Sequence, residues 1–259
     1  MAEWILQAPL IGLPVVTDPE RAALAIAELD QRCGKLDDPE LGRWARDLAD
    51  DPVRRRLLES IFANSPFLTR CALGDVRFLR QVLQDGPDTA FAHVSGHLKD
   101  ELTREMDRDR LMRELRLARR RVALLVALAD ITGHWPLERV TQALSDFADA
   151  ALSAAISHLL LAAAEKGDLV LADPHFPEDD SGYVALAMGK HGARELNYSS
   201  DIDLIILYEP MKADYRGSRS VQETFIRMTR RLVQIMQDRT ADGYVARVDL
   251  RLRPDPGSS

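Results

Sequence analysis

The chain has 259 residues, of which 46% are hydrophobic and 29% are charged, so it is long enough to bury the core of one large domain or two ordinary ones. This composition excludes a disordered tail and a collagen-like rod. Lys and Arg number 34 against 41 Asp and Glu, and the net charge of -7 argues against a general nucleic-acid binder. The 2 cysteines are too few for a disulfide scaffold, so we expect a reducing, cytoplasmic location.

Neither a signal peptide nor a membrane span is expected. The opening stretch, MAEWILQAPLIGLPVV, has no basic start, and Pro9 and Pro14 interrupt it. The uncharged run from Ala150 to Ala164 is shorter than the roughly 20 residues that a membrane-spanning helix needs. We therefore expect a soluble protein that has no membrane partner.

The chain has helical periodicity from about Pro19 to Gly167, with proline and glycine separating the helices. Apolar residues between Leu111 and Ala129 follow alternating steps of four and three, which predicts one stripe of a long helix. A second long apolar stripe runs from Leu137 to Ala162. The pair Ser65-Pro66 is typical of an N-cap followed by proline at the first helical position. This part of the sequence predicts a helical bundle.

The composition changes after Gly167, where a proline-rich, acidic loop is followed by strand patterns. The predicted elements are strands at Tyr183 to Met188, Asp201 to Tyr208 and Tyr244 to Leu252, with a helix from about Ser220 to Arg239. The sequence therefore predicts an α+β protein. An all-helical domain is expected over residues 1–172 and a smaller sheet domain over residues 173–259.

Two aspartates at the start of the second strand are candidate metal ligands. Because side chains alternate faces along a strand, Asp201 and Asp203 project together. Two carboxylates on one face repel each other unless a cation neutralises them, and hard oxygen ligands suit Mg²⁺ or Mn²⁺. Without its context, such a pair is more often a solubilising surface feature.

The third strand has a charged face that carries Arg247, Asp249, Arg251 and Arg253. A solvated edge strand explains this alternation, and so does a phosphate-bearing substrate beside a third metal ligand. The intervening helix is long enough to return the chain to the same sheet, so Asp249 is expected near the earlier aspartates.

A glycine-containing turn precedes the aspartates. Backbone N–H groups at Gly189 and Gly192, together with Lys190, are suited to phosphate oxygens. The sequence contains no GxxxxGK[ST], HExxH or GxSxG pattern, which disfavours P-loop, metalloprotease and serine-hydrolase chemistry. A phosphate patch and a solvated helix face both explain the basic run Arg119–Arg121, and the solvated face is favoured because consecutive helical residues point in different directions.

These segments carry a family resemblance. The order of glycine turn, D-x-D pair and later carboxylate resembles the nucleotidyltransferase superfamily of DNA polymerase β type. The runs MGKHGARELNYSSDIDLI and RVDLRLRPDPGS closely resemble the glutamine synthetase adenylyltransferase/adenylyl-removing enzyme family. The upstream segments ANSPFLTR and LARRRVALLVALADITG also resemble its N-terminal half, so the resemblance extends from about Leu57 onward.

The resemblance implies a function and a set of site residues. Members of this family are bifunctional, and the N-terminal half removes AMP from a tyrosine of glutamine synthetase by phosphorolysis, releasing ADP. On this basis Asp201, Asp203 and Asp249 would hold Mg²⁺ or Mn²⁺ and form the catalytic centre. Phosphate-facing residues would be Gly189, Lys190, Ser199 and Ser200, with Arg251 and Arg253 stabilising charge. The implied partners are glutamine synthetase, a PII signalling protein, phosphate and an adenine nucleotide, but no nucleic acid.

Two departures from the family pattern keep alternatives open. The sequence stops at PDPGSS, where the family continues, so the catalytic domain is expected to be incomplete. His191 stands where the motif is expected to have an apolar residue, and it is a candidate for tuning phosphate contacts. Transfer of AMP from ATP to a glutamine synthetase tyrosine is one alternative function. A catalytically silent fragment that binds glutamine synthetase or the PII protein is the other.

Overall fold

The structure, a computed structural model, describes residues 12–100 and 106–250, without the side chains of residues 49, 99 and 100. Helices occupy most of the described chain up to Glu165. In chain order they are α1 (Pro19–Lys35), α2 (Pro39–Asp50), α3 (Pro52–Asn64), α4 (Pro66–Gly74), α5 (Val76–Asp85), α6 (Pro87–Asp100), α7 (Arg108–Ile131) and α8 (Leu137–Glu165), followed later by α9 (Gly189–Gly192) and α10 (Val221–Gln237).

Five short strands follow or separate the later helices in the described part of the chain: β1 (Leu169–Val170), β2 (Tyr183–Met188), β3 (Ile202–Tyr208), β4 (Asp214–Tyr215) and β5 (Val248–Asp249). They form one sheet in the order β2-β3-β5 and a separate β1-β4 pair. Strand β2 is antiparallel to β3, and β5 is parallel to β3. The helical region followed by a small mixed sheet confirms the predicted α+β class.

The starts of several helices are encoded by side-chain caps. Ser65 Oγ accepts a hydrogen bond from the Leu68 backbone N–H at 3.2 Å, and Pro66 occupies the first helical position, as the sequence predicts. Proline costs nothing there because its missing N–H has no partner within the helix. Other caps of this kind are the carboxylates of Asp18, Asp38, Asp51 and Asp75 and the hydroxyl of Ser220.

The chain divides into two compact units. The first contains the described residues up to Val94 together with Arg120–Val140, and the second contains Ser95–Arg119 and the described residues from Thr141 onward. Helices α6, α7 and α8 each contribute to both units. The division at residue 172 follows the change in secondary structure, and it stays a prediction.

The first unit is a helical cluster with an apolar interior. Cys33 and Cys71 are both buried. Burial raises the pKa of the Cys33 thiol to about 11, so this side chain is protonated at neutral pH. Arg121 forms an ion pair with Asp75 at 2.8 Å, which shows that the basic run on α7 is not simply a solvated face.

In the second unit, α10 packs on one face of the larger sheet. The ring of Phe225 lies 5.4 Å from that of Tyr183 and 5.7 Å from that of Tyr208, measured between centroids. Tyr183 Oη and Thr229 Oγ1 are 2.9 Å apart, and burial raises the pKa of the tyrosine to about 12. Helix α10 therefore packs against β2 and β3 through these aromatic contacts.

The predicted extent of the third strand is wrong within the described residues. It was expected over Tyr244 to Leu252, whereas pairing is confined to Val248 and Asp249. The backbone N–H groups of Val245 and Ala246 instead donate to the carbonyl of Met236, at 2.9 and 3.1 Å. The chain is thus held against the end of α10 before it reaches the sheet.

Within the described residues, α8 is the one helix that is long and apolar enough to cross a membrane by length and composition. Its most apolar window is 56% buried inside the protein. The buried core helix of a soluble protein passes the same test, so the finding is weak evidence for a membrane span.

A buried arginine connects α7 to the segment before β5. Arg116 is 1% exposed, and its guanidinium donates to the carbonyls of Met112, Asp238 and Gly243 at 2.8, 2.6 and 2.9 Å. Burial lowers the pKa of this group from its ordinary value, but an arginine stays protonated at neutral pH. The carbonyl oxygens stabilise the buried charge and fix the 238–243 turn to the helix.

We expect Arg116→Met to lower the free energy of unfolding by about 3 kcal/mol, because it removes several charge-assisted hydrogen bonds from a buried position. Urea denaturation followed by circular dichroism measures this change. Arg113→Met is the matched control, since Arg113 lies exposed on the same helix and its loss should be nearly neutral. Equal effects of the two substitutions would contradict a structural role for the buried guanidinium.

His158 on α8 should make stability depend on pH. Burial lowers its pKa from the ordinary value, Arg108 acts in the same direction, and Glu165 and Asp107 have smaller effects that raise it. The folded state therefore binds a proton less readily than the unfolded state, and this histidine reduces stability as the pH falls below about 6.5. His158→Gln should remove that loss, measured as unfolding free energies at about pH 7.5 and pH 5.5. Identical pH dependence in both proteins would contradict the assignment.

Candidate functional site

The glycine turn α9 lies directly against Asp203. Gly189 has a φ of +54°, and a Cβ at this position would lie 2.4 Å from Asp203 Oδ2. A Cβ at Gly192 would lie 2.5 Å from the carbonyl oxygen of Ala187. Gly192 requires glycine because a Cβ would meet fixed backbone, and Gly189 favours glycine because its positive φ strains any other residue and a Cβ would displace the Asp203 carboxylate. The turn therefore presents bare backbone beside a carboxylate.

The strand register brings two of the predicted ligands to one face of the sheet. Asp203 is paired with Met188 on β2 and with Asp249 on β5. Directly paired residues on neighbouring strands project to the same face, so the Asp203 and Asp249 carboxylates lie side by side. Both side chains are half-buried.

Asp201 lies just before β3 and is exposed. Within residues 12–100 and 106–250, no three His, Cys, Asp or Glu side chains converge closely enough to form a complete metal-binding group. The structure thus brings together Asp203 and Asp249 but does not bring Asp201 into the same cluster. Two carboxylates still provide hard oxygen donors of the kind that Mg²⁺ and Mn²⁺ prefer.

The segment between the glycine turn and β3 forms a second, hydrogen-bonded turn. Ser200 Oγ donates to Asn197 Oδ1 at 3.0 Å and accepts from the Asn197 backbone N–H at 3.2 Å. The Ser199 N–H also donates to Asn197 Oδ1, at 3.2 Å. Asn197 thus helps to fix the geometry of this turn. It also occupies the Ser200 hydroxyl, whereas Ser199 is exposed.

Two arginines hold this serine turn by its carbonyls. Arg119 Nη2 donates to the carbonyl of Tyr198 at 3.0 Å, and Arg247 Nη2 donates to that of Ser199 at 2.6 Å. Neither contact could be predicted from the sequence, because a backbone acceptor leaves no signal in the side-chain pattern. Arg119 had been assigned to a solvated face, but it is half-buried and oriented toward the turn.

The remaining predicted residues differ in what the structure shows. Lys190 is exposed on the glycine turn, where its ammonium group is accessible to an anion. Arg251 and Arg253 lie outside the described residues.

The contact between Asp149 on α8 and His191 is not predicted by the sequence. Asp149 lies 42 residues from His191, and no local pattern connects the two.

We expect Gly189→Ala to destabilise the chain by about 1 to 2 kcal/mol, because the methyl group would overlap the Asp203 carboxylate at a positive φ. It should also weaken Mn²⁺ binding, because the carboxylate must move. Thermal unfolding and calorimetric titration measure the two effects. Gly96→Ala is the control, since a Cβ there meets open space within α6 and should stabilise by about 0.5 to 1 kcal/mol. The idea fails if both variants shift stability in the same direction.

Comparison with known proteins agrees with the motif analysis. A family model described as glutamate-ammonia ligase adenylyltransferase matches residues 55–259. The chain is 42% identical over 246 residues to the bifunctional glutamine synthetase adenylyltransferase/adenylyl-removing enzyme of Xanthobacter autotrophicus, which covers 95% of this chain and 24% of the relative. The protein of the same name from Bradyrhizobium diazoefficiens is 39% identical over 259 residues, covering 100% of this chain and 25% of the relative.

A third relative, from Rhizobium meliloti and of the same name, is 44% identical over 223 residues, covering 83% of this chain and 22% of the relative. The chain thus spans about a quarter of the length of these curated relatives. The resemblance inferred from the glycine turn and the D-x-D run is confirmed. The chain belongs to the glutamate-ammonia ligase adenylyltransferase family.

Proposed function

We propose that this chain is a metal-dependent deadenylylation module that removes AMP from a tyrosine of glutamine synthetase by phosphorolysis. The observation that carries the proposal is the shared face of Asp203 and Asp249, with the bare backbone of Gly189 against the first carboxylate. Relatives are named as adenylyltransferase and adenylyl-removing enzymes, which supports nucleotidyl chemistry on glutamine synthetase. The upstream helical segments resemble the N-terminal half of the family, and this favours the adenylyl-removing direction.

The donor set fits Mg²⁺ or Mn²⁺. Asp203 and Asp249 would hold the ion with carboxylate oxygens, and Asp201 is the nearest predicted third ligand along the chain. A bound divalent ion would neutralise charge on the adenylyl group as it is transferred. Lys190 adds a positive charge on the adjacent turn, where it binds and orients phosphate oxygens.

Phosphorolysis needs little proton transfer from the protein. The substrate phosphate is already an oxyanion, so its oxygen attacks the α-phosphorus of the tyrosyl-AMP ester without a strong general base. The new phosphorus–oxygen bond forms ADP as the bond to the tyrosine oxygen breaks. The departing phenolate then takes a proton from solvent. The carboxylates therefore serve as ligands, and the turn serves to orient the reacting groups in line.

Transfer of AMP from ATP to the same tyrosine would use the same residues in the opposite direction. Regulation through a PII protein and a cytoplasmic location also remain predictions. An assay that offers either adenylylated glutamine synthetase with phosphate, or unmodified glutamine synthetase with ATP, separates the two directions. ADP release in the first reaction supports the proposal, and AMP incorporation in the second alone would replace it.

We expect Asp203→Asn to reduce ADP release from adenylylated glutamine synthetase by roughly 100-fold or more, because the amide lacks the charge that holds a divalent ion. The assay follows ADP formation with phosphate and Mg²⁺ present. Asp179→Asn, which changes an exposed aspartate, is the control and should be active. Unchanged ADP release and metal dependence in the Asp203 variant would refute the ligand assignment.

Binding tests the same site without turnover. In the wild-type chain, Mn²⁺ with ADP at about 100 times Kd should stabilise the folded state by roughly 2.7 kcal/mol. Thermal unfolding should show this shift in the wild type and in the Asp179 variant but not in the Asp203 variant. A folded wild-type chain without any shift would favour the silent, partner-binding alternative.

A further inference from the structure

Helix α8 holds the glycine turn through a pair of ionisable side chains. His191 is 2% exposed, and its Nε2 lies 2.8 Å from Asp149 Oδ1. Arg194, two residues beyond the turn, forms ion pairs with Asp146 at 2.6 Å and with Asp149 at 3.4 Å. The two carboxylates of α8 therefore anchor both the turn and the residues that follow it.

The hydrogen bonding indicates where the proton of His191 resides. Its Nδ1 atom is buried and has no hydrogen-bond partner among the described residues. A proton on Nδ1 would be a buried donor without an acceptor, which is costly. A proton on Nε2 is instead donated to the Asp149 carboxylate. The structure thus favours the Nε2–H tautomer.

The turn needs such an anchor. Two of its four residues are glycines, which have little conformational preference of their own and lose much freedom on folding. Gly189 must nevertheless lie against Asp203, and Lys190 must face the same region. His191 is the one buried side chain within this turn. Its ring therefore links the conformation of the turn to the rigid helix.

We propose that Asp149 and His191 form a positioning pair that fixes the 189–192 turn against Asp203, and so sets the placement of Lys190 for the phosphate chemistry. This role rests on the proposed function of the site. His191 does not contact substrate, because its ring is buried and its Nε2 is bonded to Asp149. On this proposal His191 influences phosphate contacts only indirectly, through the backbone of the turn.

The test compares variants that break the pair with variants that retain its hydrogen bond. His191→Leu and Asp149→Ala remove the bond, while His191→Gln retains an N–H donor and Asp149→Asn retains an acceptor oxygen. His158→Gln is the control, because it changes another histidine, on α8 outside this cluster. Circular dichroism and thermal unfolding first establish which variants are folded.

The affinity for Mn²⁺ with ADP is then measured by calorimetry at a fixed pH. We expect Kd to rise roughly 10-fold in His191→Leu and Asp149→Ala, with most of the affinity recovered in His191→Gln and no change in the control. Wild-type affinity in a folded His191→Leu variant would overturn the proposal. So would an equal loss in His191→Gln, since packing alone would then explain the effect.

A second measurement is independent of nucleotide binding. Nitrogen-15 NMR should find the Nε2–H tautomer of His191, and hydrogen exchange of the backbone amides at 189–196 should accelerate in Asp149→Ala. An Nδ1–H tautomer, or unchanged exchange, would overturn the positioning pair. If the wild type does not bind Mn²⁺ with ADP, the proposed function fails, and these two readouts still decide whether the pair holds the turn.

Discussion

The contact between the Asp203 carboxylate and the backbone of Gly189 is the constraint on which the rest of the site depends. A carboxylate can lie this close to the chain only where the residue has no Cβ, and the positive φ of Gly189 turns the backbone away from β2 at that point. This single close approach joins the end of β2 to the start of β3. It fixes which carboxylate lies beside the turn and therefore, under the proposed function, where the ion and the phosphate bind.

The long helices supply the supports for this contact. Arg116 of α7 satisfies the carbonyls of the turn before β5, and Arg119 of the same helix bonds to a carbonyl of the serine turn. Asp149 of α8 holds His191. In each case a side chain on a regular helix stabilises a short irregular segment that cannot bury enough surface to order itself. The site is thus placed by hydrogen bonds from helices and not by the small sheet alone.

The sequence predicted those features that depend on local pattern. The Ser65 cap and the extent of β2 both arise from short-range geometry. The predicted length of the third strand was wrong because the Val245 and Ala246 N–H groups donate to the Met236 carbonyl instead of pairing with a strand. That competition depends on the packing of α10. The hydrogen bond between His191 and Asp149 could not be predicted from the sequence either. It joins two residues that only the tertiary fold brings together.

Arg247 helps to fix the register in which β5 pairs with β3. Its carbonyl accepts from the Ile202 N–H at 2.9 Å, and its guanidinium binds the Ser199 carbonyl. Strand β5 has only two paired residues, which is too short a ladder to select its own alignment. A slip of one residue would move Asp249 to the opposite side of the sheet and put Val248 in its place. Arg247 forms hydrogen bonds with Ser199 and Ile202, which precede and follow Asp201 in the chain. These bonds disfavour the misalignment and so keep Asp249 opposite Asp203.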